Sequence, residues 1–477
     1  MNLETANLRR IFSRARGQAW PMHGFCLAGV LLLAGCATQQ APSSLPPLTP
    51  AAQPADVNSS QSSAKADAQP AAPSGPVSVE AAIERAISCN PKLKALRADV
   101  TVARQRKSAA TDIPDPEALV YFGDVVEDFG QTANSSNSKG DKFGGRINLP
   151  NPFLMVPEVN ARTADFQAAL SDLQAARWLV ESDVRRLFAE IQYLSEDMAL
   201  TVELTRQNGL ILAYARERES QGAAVASDIV TAVQRQLQAQ HDLDQARYRW
   251  QLARRELAAL LDLNSESLQL VTNTPAFAPL PESDLPIEAL QQTALERRED
   301  VAALRWRTLA AQSSYQEARN VRIPWFKDFT ALQVESNDKW AARISVNVPI
   351  FSWTINKAET VQQAQANLAA VNESNGIQVM RREIRDAVDE FEARRQQQKR
   401  DQNDIAPLIA EMRQTLELLR RTPTVLPSRI AATEAQITES LRLELGSRWL
   451  YLLARLNLER VVGAPLSVAL MVKDGKM

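Results

Sequence analysis

Side chains that do chemistry are scarce in this chain. Its 477 residues include three cysteines, two histidines and only 16 glycines. Cys26, Cys36 and His23 fall in the first 36 positions, which leaves Cys89 and His241 for the body of the protein. One thiol and one imidazole cannot build a zinc or iron shell, and a single cysteine cannot close an internal disulfide. A Ser-His-Asp or Cys-His set would have to use His241, which sits among Gln and Asp in a helical pattern. The Gly144-Gly145 and Gly-Arg-Ile fragments do not form a phosphate loop. Met155, Met198, Met380, Met412 and Met471 are too scattered for a soft-metal relay. A net charge of -2 without a basic stripe argues against nucleic acid. The expectation is a protein without cofactor, metal or catalytic centre.

What is present favours helices. Hydrophobic residues make up 45% of the chain and charged ones 23%, with abundant Ala, Leu, Gln, Arg and Glu. Residues 1–35 read as a targeting segment: Arg9, Arg10, Arg14 and Arg16 precede the apolar stretch Phe25–Leu33, which is too short to span a bilayer. Met22 is a second candidate start. Leu33-Ala34-Gly35-Cys36 resembles the lipobox of bacterial lipoproteins, which implies cleavage before Cys36 and acylation of that residue. Ala37 stands where Asp would signal inner-membrane retention, so the resemblance implies the outer membrane. Residues 36–77 are rich in Ala, Pro, Ser and Gln, the composition of a flexible tether.

The body then says the same thing twice. Residues 78–263 form a first unit, 264–286 a proline-rich linker, 287–465 a second unit and 466–477 a tail. Val79-Glu80-Ala81 matches Ile287-Glu288-Ala289, and the same shift of 208 carries Leu93 to Val301, Ala103 to Ala311 and Pro116 to Pro324. Ile147-Asn148-Leu149-Pro150 matches Val346-Asn347-Val348-Pro349, and Ser227 and Ile229 match Ser428 and Ile430. Each unit reads as a helix (78–112, 287–322), a strand hairpin, a long helix (156–220, 356–421) and a closing helix (228–262, 428–462). The first hairpin comprises strands at 117–126 and 143–149 around the loop 127–141; the second has its loop at 335–340. Ser78, and Ser227 or Asp228, are the expected N-caps, and Pro407 is expected to bend or break the second long helix. Each long helix would run roughly 100 Å and pack against two half-length helices stacked end to end.

The strands are the anomaly. Ile344, Val346, Val348 and Ile350 alternate with Arg343, Ser345 and Asn347, while Phe143, Ile147 and Leu149 alternate with Gly144, Arg146 and Asn148. Four strands leave open edges, which a lipid environment forbids. Two arrangements fit: a small soluble sheet capping a helical bundle, or strands pooled from several copies into a closed barrel. In the second, Arg146, Asn148, Arg343, Ser345 and Asn347 face a wet lumen and the apolar residues face lipid. Trp325, Trp340 and Trp353 bracket the second hairpin and are candidates for an interfacial belt.

The duplicated helix–hairpin–helix plan, Asn90-Pro91, Arg298-Glu299-Asp300 and the strand ending Pro349-Ile350-Phe351 resemble the TolC-type outer-membrane efflux factors over about residues 78–465. The resemblance implies a mainly α fold with a small β part: a homotrimer whose barrel, four strands per chain, continues into a periplasmic α-helical tunnel. It implies a passive, lipid-anchored duct for small molecules or ions, fed by an inner-membrane pump of the resistance-nodulation-division type through a periplasmic adaptor. By position, the turns at 221–229 and 422–430 would form the periplasmic tip, with Gly222, Ala223, Ser227, Asp228, Ser428 and Arg429 as contacts. Gly222-Ala223-Ala224 resembles the family's small-residue adaptor contact. The second turn departs from the pattern: Thr422-Pro423-Thr424 replaces a Gly-containing turn, and Ser428-Arg429 stands where an acidic aperture residue occurs. A lipid-anchored periplasmic coiled-coil scaffold without a pore is the alternative from another class.

Overall fold

A computed structural model describes residues 76–121, 142–222, 226–264, 285–334, 339–348, 353–422 and 425–467. All lie in the compact unit Gln69–Met477; the unit Met1–Ala68, with Cys36, lies outside the described residues. The order is α1 (Val79–Cys89), α2 (Pro91–Ala109), β1 (Glu117–Tyr121), β2 (Lys142–Asn148), α3 (Pro152–Ser220) and α4 (Ala226–Leu260). Then come α5 (Ile287–Arg297), α6 (Glu299–Asn320), β3 (Trp325–Val334), β4 (Lys339–Asn347), α7 (Trp353–Arg421) and α8 (Pro427–Val462). The duplicated plan expected from the sequence is present.

Both leading helices, expected to be continuous, are broken at equivalent points by different chemistry. In the first unit Pro91 starts α2 without an N–H, and the Asn90 side chain accepts from Lys92 N at 2.9 Å and Leu93 N at 3.4 Å. The second unit has no proline there. Arg298 takes up an extended conformation, and its guanidinium reaches Asp300 at 2.7 Å, Glu383 at 2.8 Å and the Val461 carbonyl at 3.1 Å. Gly463, in the left-handed region at φ 80°, makes room for that arginine: a Cβ there would lie 3.0 Å from Arg298 Cγ.

Two prolines lie inside long helices. α3 begins at Pro152, earlier than the expected 156, and continues through Pro157. The carbonyl four residues back, Phe153 O, loses its usual donor but accepts from Asn320 Nδ2 at 2.8 Å. Pro407 does not end α7; Asn403 and Pro407 both lie on its exposed side, where the carbonyl freed by the proline is open to solvation. Ser78 caps α1 as expected, accepting from Ala81 N at 3.2 Å. Ser227 and Asp228 do not cap α4; they lie inside its first turn, since the helix already begins at Ala226.

Packing follows the duplication. Leu93, Val184, Leu187 and Leu257 centre one core among α1 to α4, and Leu290, Val301, Ile384, Phe391 and Leu458 centre its counterpart among α5 to α8. α3 packs against α1, α2 and α4, and also against α6 and α8; α7 packs against α5, α6 and α8. Alanines such as Ala161, Ala164, Ala168, Ala239 and Ala253 are buried along the seams and let the helices approach closely.

The four strands form one antiparallel sheet in the order β1-β2-β3-β4, with a bulge between Phe326 and Asp328. β1 and β4 are its edges. Gly144 stands opposite Leu332, where a Cβ would fall 2.0 Å from the Ala331 carbonyl oxygen. We expect Gly144→Val to disrupt β2–β3 pairing at a cost of at least about 1–3 kcal/mol, the usual penalty of overpacking. The folded species on semi-native gels should melt at a lower temperature while the helical circular-dichroism signal persists; an unchanged melt would refute the close approach.

Candidate functional site

The sheet has two unlike faces. On one, Val120, Phe143, Ile147, Phe329, Ile344 and Val346 are 39–62% exposed. Ile147, Leu149, Phe326, Phe329 and Ile344 line a single shallow concavity there. Several large apolar side chains exposed side by side mark an interaction surface.

The opposite face is polar and ordered in cross-strand rows. Glu117, Arg146, Thr330 and Arg343 are successive register partners across all four strands. Arg146 Nη1 lies 3.3 Å from Glu117 Oε2, and Asn148 Nδ2 donates to Glu117 Oε1 at 3.0 Å. Arg146 Nε is buried without a hydrogen-bond partner. In the next row toward the helices Asn148 faces Asp328, which faces Ser345. The Ser345 and Thr330 hydroxyls both donate to Asp328 Oδ1 at 3.1 Å, and Asp328 is only 7% exposed.

Arg146, Asn148, Arg343, Ser345 and Asn347 therefore share one face of the sheet, with Asn347 opposite Trp325. Sequence reasoning passed over Glu117, Asp328 and Thr330. The Asp328-Phe329-Thr330-Ala331 alternation carried the signal, but the bulge puts it out of phase with Trp325-Phe326. Of the bracketing tryptophans, Trp353 is 82% exposed, whereas Trp325 packs edge-on against Phe153 with ring centroids 5.8 Å apart. The Trp340 side chain, and Ile350 with Phe351, lie outside the described residues.

The two turns expected at a common tip do share one end of the bundle. α3 and α8 run antiparallel, as the pairs Asp197–Arg442 (2.8 Å) and Arg206–Glu434 (3.9 Å) require. Gly222 ends α3 in the left-handed conformation at φ 70°, its N–H donating to Glu219 O at 2.8 Å. Ala223 lies outside the described residues; Ser227 and Asp228 are exposed. Asp228 suits the positive end of the α4 dipole. α8 begins instead with Pro427, without a side-chain cap or an acidic first turn, and carries exposed Arg429 against its dipole. Ser428 is half-buried.

Above the tip an ionic chain joins three helices. Arg420 of α7 meets Glu434 of α8 at 2.6 Å, Glu434 meets Arg206 of α3, and Arg206 meets Glu203 at 2.6 Å. Hydrogen bonding from Arg206 is the main cause that holds the Glu203 carboxyl below its ordinary value of 4.5, against a smaller opposing effect of burial. Stability from this carboxylate is thus fully present above its unfolded value and is lost as pH falls through the lower folded one. Glu203→Gln should flatten the acid limb of helix melting followed by circular dichroism between pH 3 and 6. An acid limb identical to wild type would rule out that contribution.

Among the described residues no helix is long and apolar enough to cross a membrane, and no group of three or more His, Cys, Asp or Glu is placed to hold a metal ion. Cys89 is buried.

The four described strands thus form a two-faced, open-edged sheet, and each hairpin leads into a 69-residue helix. Solved structures share this plan. The outer-membrane channel OprN matches with a TM-score of 0.65 at 15% identity, over 81% of this chain and 90% of that one. The outer-membrane protein VceC from Vibrio cholerae matches with a TM-score of 0.64 at 16% identity, over 81% and 96%. The CmeC outer-membrane channel from Campylobacter jejuni gives 0.64 at 16% identity, over 81% and 85%. No family model and no curated relative matches the chain by sequence. The fold is that of the TolC-type outer-membrane channels.

Proposed function

We propose that this protein is the outer-membrane duct of a tripartite efflux system. Three copies would pool their strands into a twelve-stranded barrel and their helices into a periplasmic tunnel. The observation that carries the reading is the sheet: its outer face is apolar and exposed, its inner face is polar, and its edges β1 and β4 have no neighbouring strand among the described residues. Pairing between copies would satisfy those edges, and lipid would cover the apolar face. Acylated Cys36 would tether the chain to the outer membrane. The fold shared with outer-membrane channels supports the same reading.

Such a duct is passive. Small molecules or ions would arrive from an inner-membrane pump of the resistance-nodulation-division type through a periplasmic adaptor that docks at the tip, around Gly222, Ala223, Ser227, Asp228, Ser428 and Arg429. A tunnel wide enough for varied cargo needs no tight binding site and no enzyme chemistry. With Arg429 exposed at the second turn, the aperture would carry a basic residue.

Detergent-extracted protein should migrate as a heat-sensitive trimer and conduct ions in planar bilayers. A monomer released from membranes by removal of its lipid alone would instead support a periplasmic scaffold and sink the duct. Cys36→Ser should abolish incorporation of labelled palmitate; persistent labelling would move the anchor elsewhere. Gly222→Trp should lower efflux at least tenfold while the trimer remains folded, because tryptophan is strained at φ 70° and crowds the docking turn. Unchanged efflux would remove Gly222 from the contact.

A further inference from the structure

The duplication leaves one packing surface used in the first unit and bare in the second. The two cores correspond by number: Val180, Val184, Leu187, Phe188 and Ile191 of α3 stand where Met380, Ile384, Ala387, Val388 and Phe391 stand in α7, a shift of 200. Likewise Leu93 and Val100 of α2 answer to Val301 and Thr308 of α6, and Ala253 and Leu257 of α4 to Ala454 and Leu458 of α8. α3 also packs on the half-length helices of the other unit, α6 and α8. The equivalent seam, α7 on α2 and α4, has no comparable packing among the described residues. Where α3 meets α6 its side chains are small. Ala161, Ala164 and Ala168 are buried on the side of Asp172, which pairs with Arg307, and the hydroxyl of buried Ser171 bonds the Glu299 carboxylate. Their counterparts on α7 are Val361, Ala364, Leu368 and Val371, and the three larger ones are 53–59% exposed. Buried Ala310 of α6 likewise answers to exposed Val102 of α2. Toward the turns, buried Asn208 of α3 answers to exposed Leu408 of α7, and buried Ala431 and Thr438 of α8 answer to exposed Val230 and Leu237 of α4. Small or polar residues buried inside the chain thus become large apolar ones on its two edges.

We propose that α7 of one copy packs on α2 and α4 of the next, in the register by which α3 packs on α6 and α8 within the chain. The inference rests on the duct reading above. α2 leads into β1 and α7 follows β4, so the bare helix edges continue the two open edges of the sheet, and one second copy covers both. Separate chains must also offset lost translational and rotational freedom, and valine and leucine bury more apolar area than the alanines they replace. The Asp172–Arg307 pair answers to exposed Asn372 and Asp99, an amide donor and a carboxylate acceptor. The pairs Asp172–Arg307 and Arg206–Glu434 fix the antiparallel levels inside the chain, setting Ala168 opposite Ala310 and Asn208 opposite Ala431. Between copies the same levels set Leu368 opposite Val102 and Leu408 opposite Val230.

The test is oxidative cross-linking of full-length protein in its membrane. Val102→Cys with Leu368→Cys, and Val230→Cys with Leu408→Cys, should each give covalent dimers and trimers that survive boiling and collapse to monomer with reductant. All four positions are exposed, so cysteine there does not threaten the core. The four single variants, which also carry buried Cys89, should stay monomeric on the same gels. So should Val102→Cys with Leu408→Cys, whose positions fall at different levels. A heat-sensitive trimer that cross-links at neither matched pair would mean that something else fills the α7 edge; it would overturn this seam and leave the duct standing. Cross-linking by Leu368→Cys alone would mark a symmetric contact between two α7 helices and also overturn it. Wild-type protein that is monomeric in mild detergent and never conducts would overturn both.

Discussion

The edges of a four-stranded sheet control much of what this chain can be. Among the described residues, β1 and β4 each present a row of backbone N–H and C=O groups with no partner strand on the outer side. In water such edges invite uncontrolled pairing, and in lipid they cost several kcal/mol per group. The apolar face of Ile147, Phe329, Ile344 and Val346 makes matters worse for an isolated copy, since it too lacks cover. Both deficits disappear together when edges pair between copies and lipid meets the outer face. The proposed duct is thus the arrangement in which backbone and side chains are satisfied at once.

The helices answer a different constraint, that of holding the sheet's two hairpins at one end of a long support. Duplication supplies two near-equivalent cores, but the units have diverged in how they turn the same corner. A neutral Asn90 cap with Pro91 closes the first corner; the Arg298 cluster with Asp300, Glu383 and the Val461 carbonyl closes the second. The backbone path was kept while its chemistry changed. Further along, the chain Arg420–Glu434–Arg206–Glu203 ties the second unit's helices to α3, so the two units share charge pairs as well as apolar seams.

Much of this was legible beforehand because periodicity reports directly on which face a residue takes. The alternation through Arg343–Val348 and Phe143–Leu149 gave the faces correctly, and the repeat offsets gave the element order. Strict alternation fails at a bulge, which is why Asp328 and Thr330 escaped notice. The prolines show a related limit. A proline forfeits a hydrogen bond locally, but whether that loss ends a helix depends on distant groups: Asn320 at Phe153 O, and open water beside Asn403.

The sequence by itself determined the duplication, the two-faced strands, the scarcity of catalytic side chains and the order of the elements. These follow from composition and from periods of 2 and 3.6 residues, which are properties of the local backbone. Only the tertiary structure decided that Glu117, Arg146, Thr330 and Arg343 stand in one row, and that Arg298 reaches α7 and the end of α8. Register across strands and contacts between distant helices are set by packing and by which buried polar groups find partners. No local pattern contains that information.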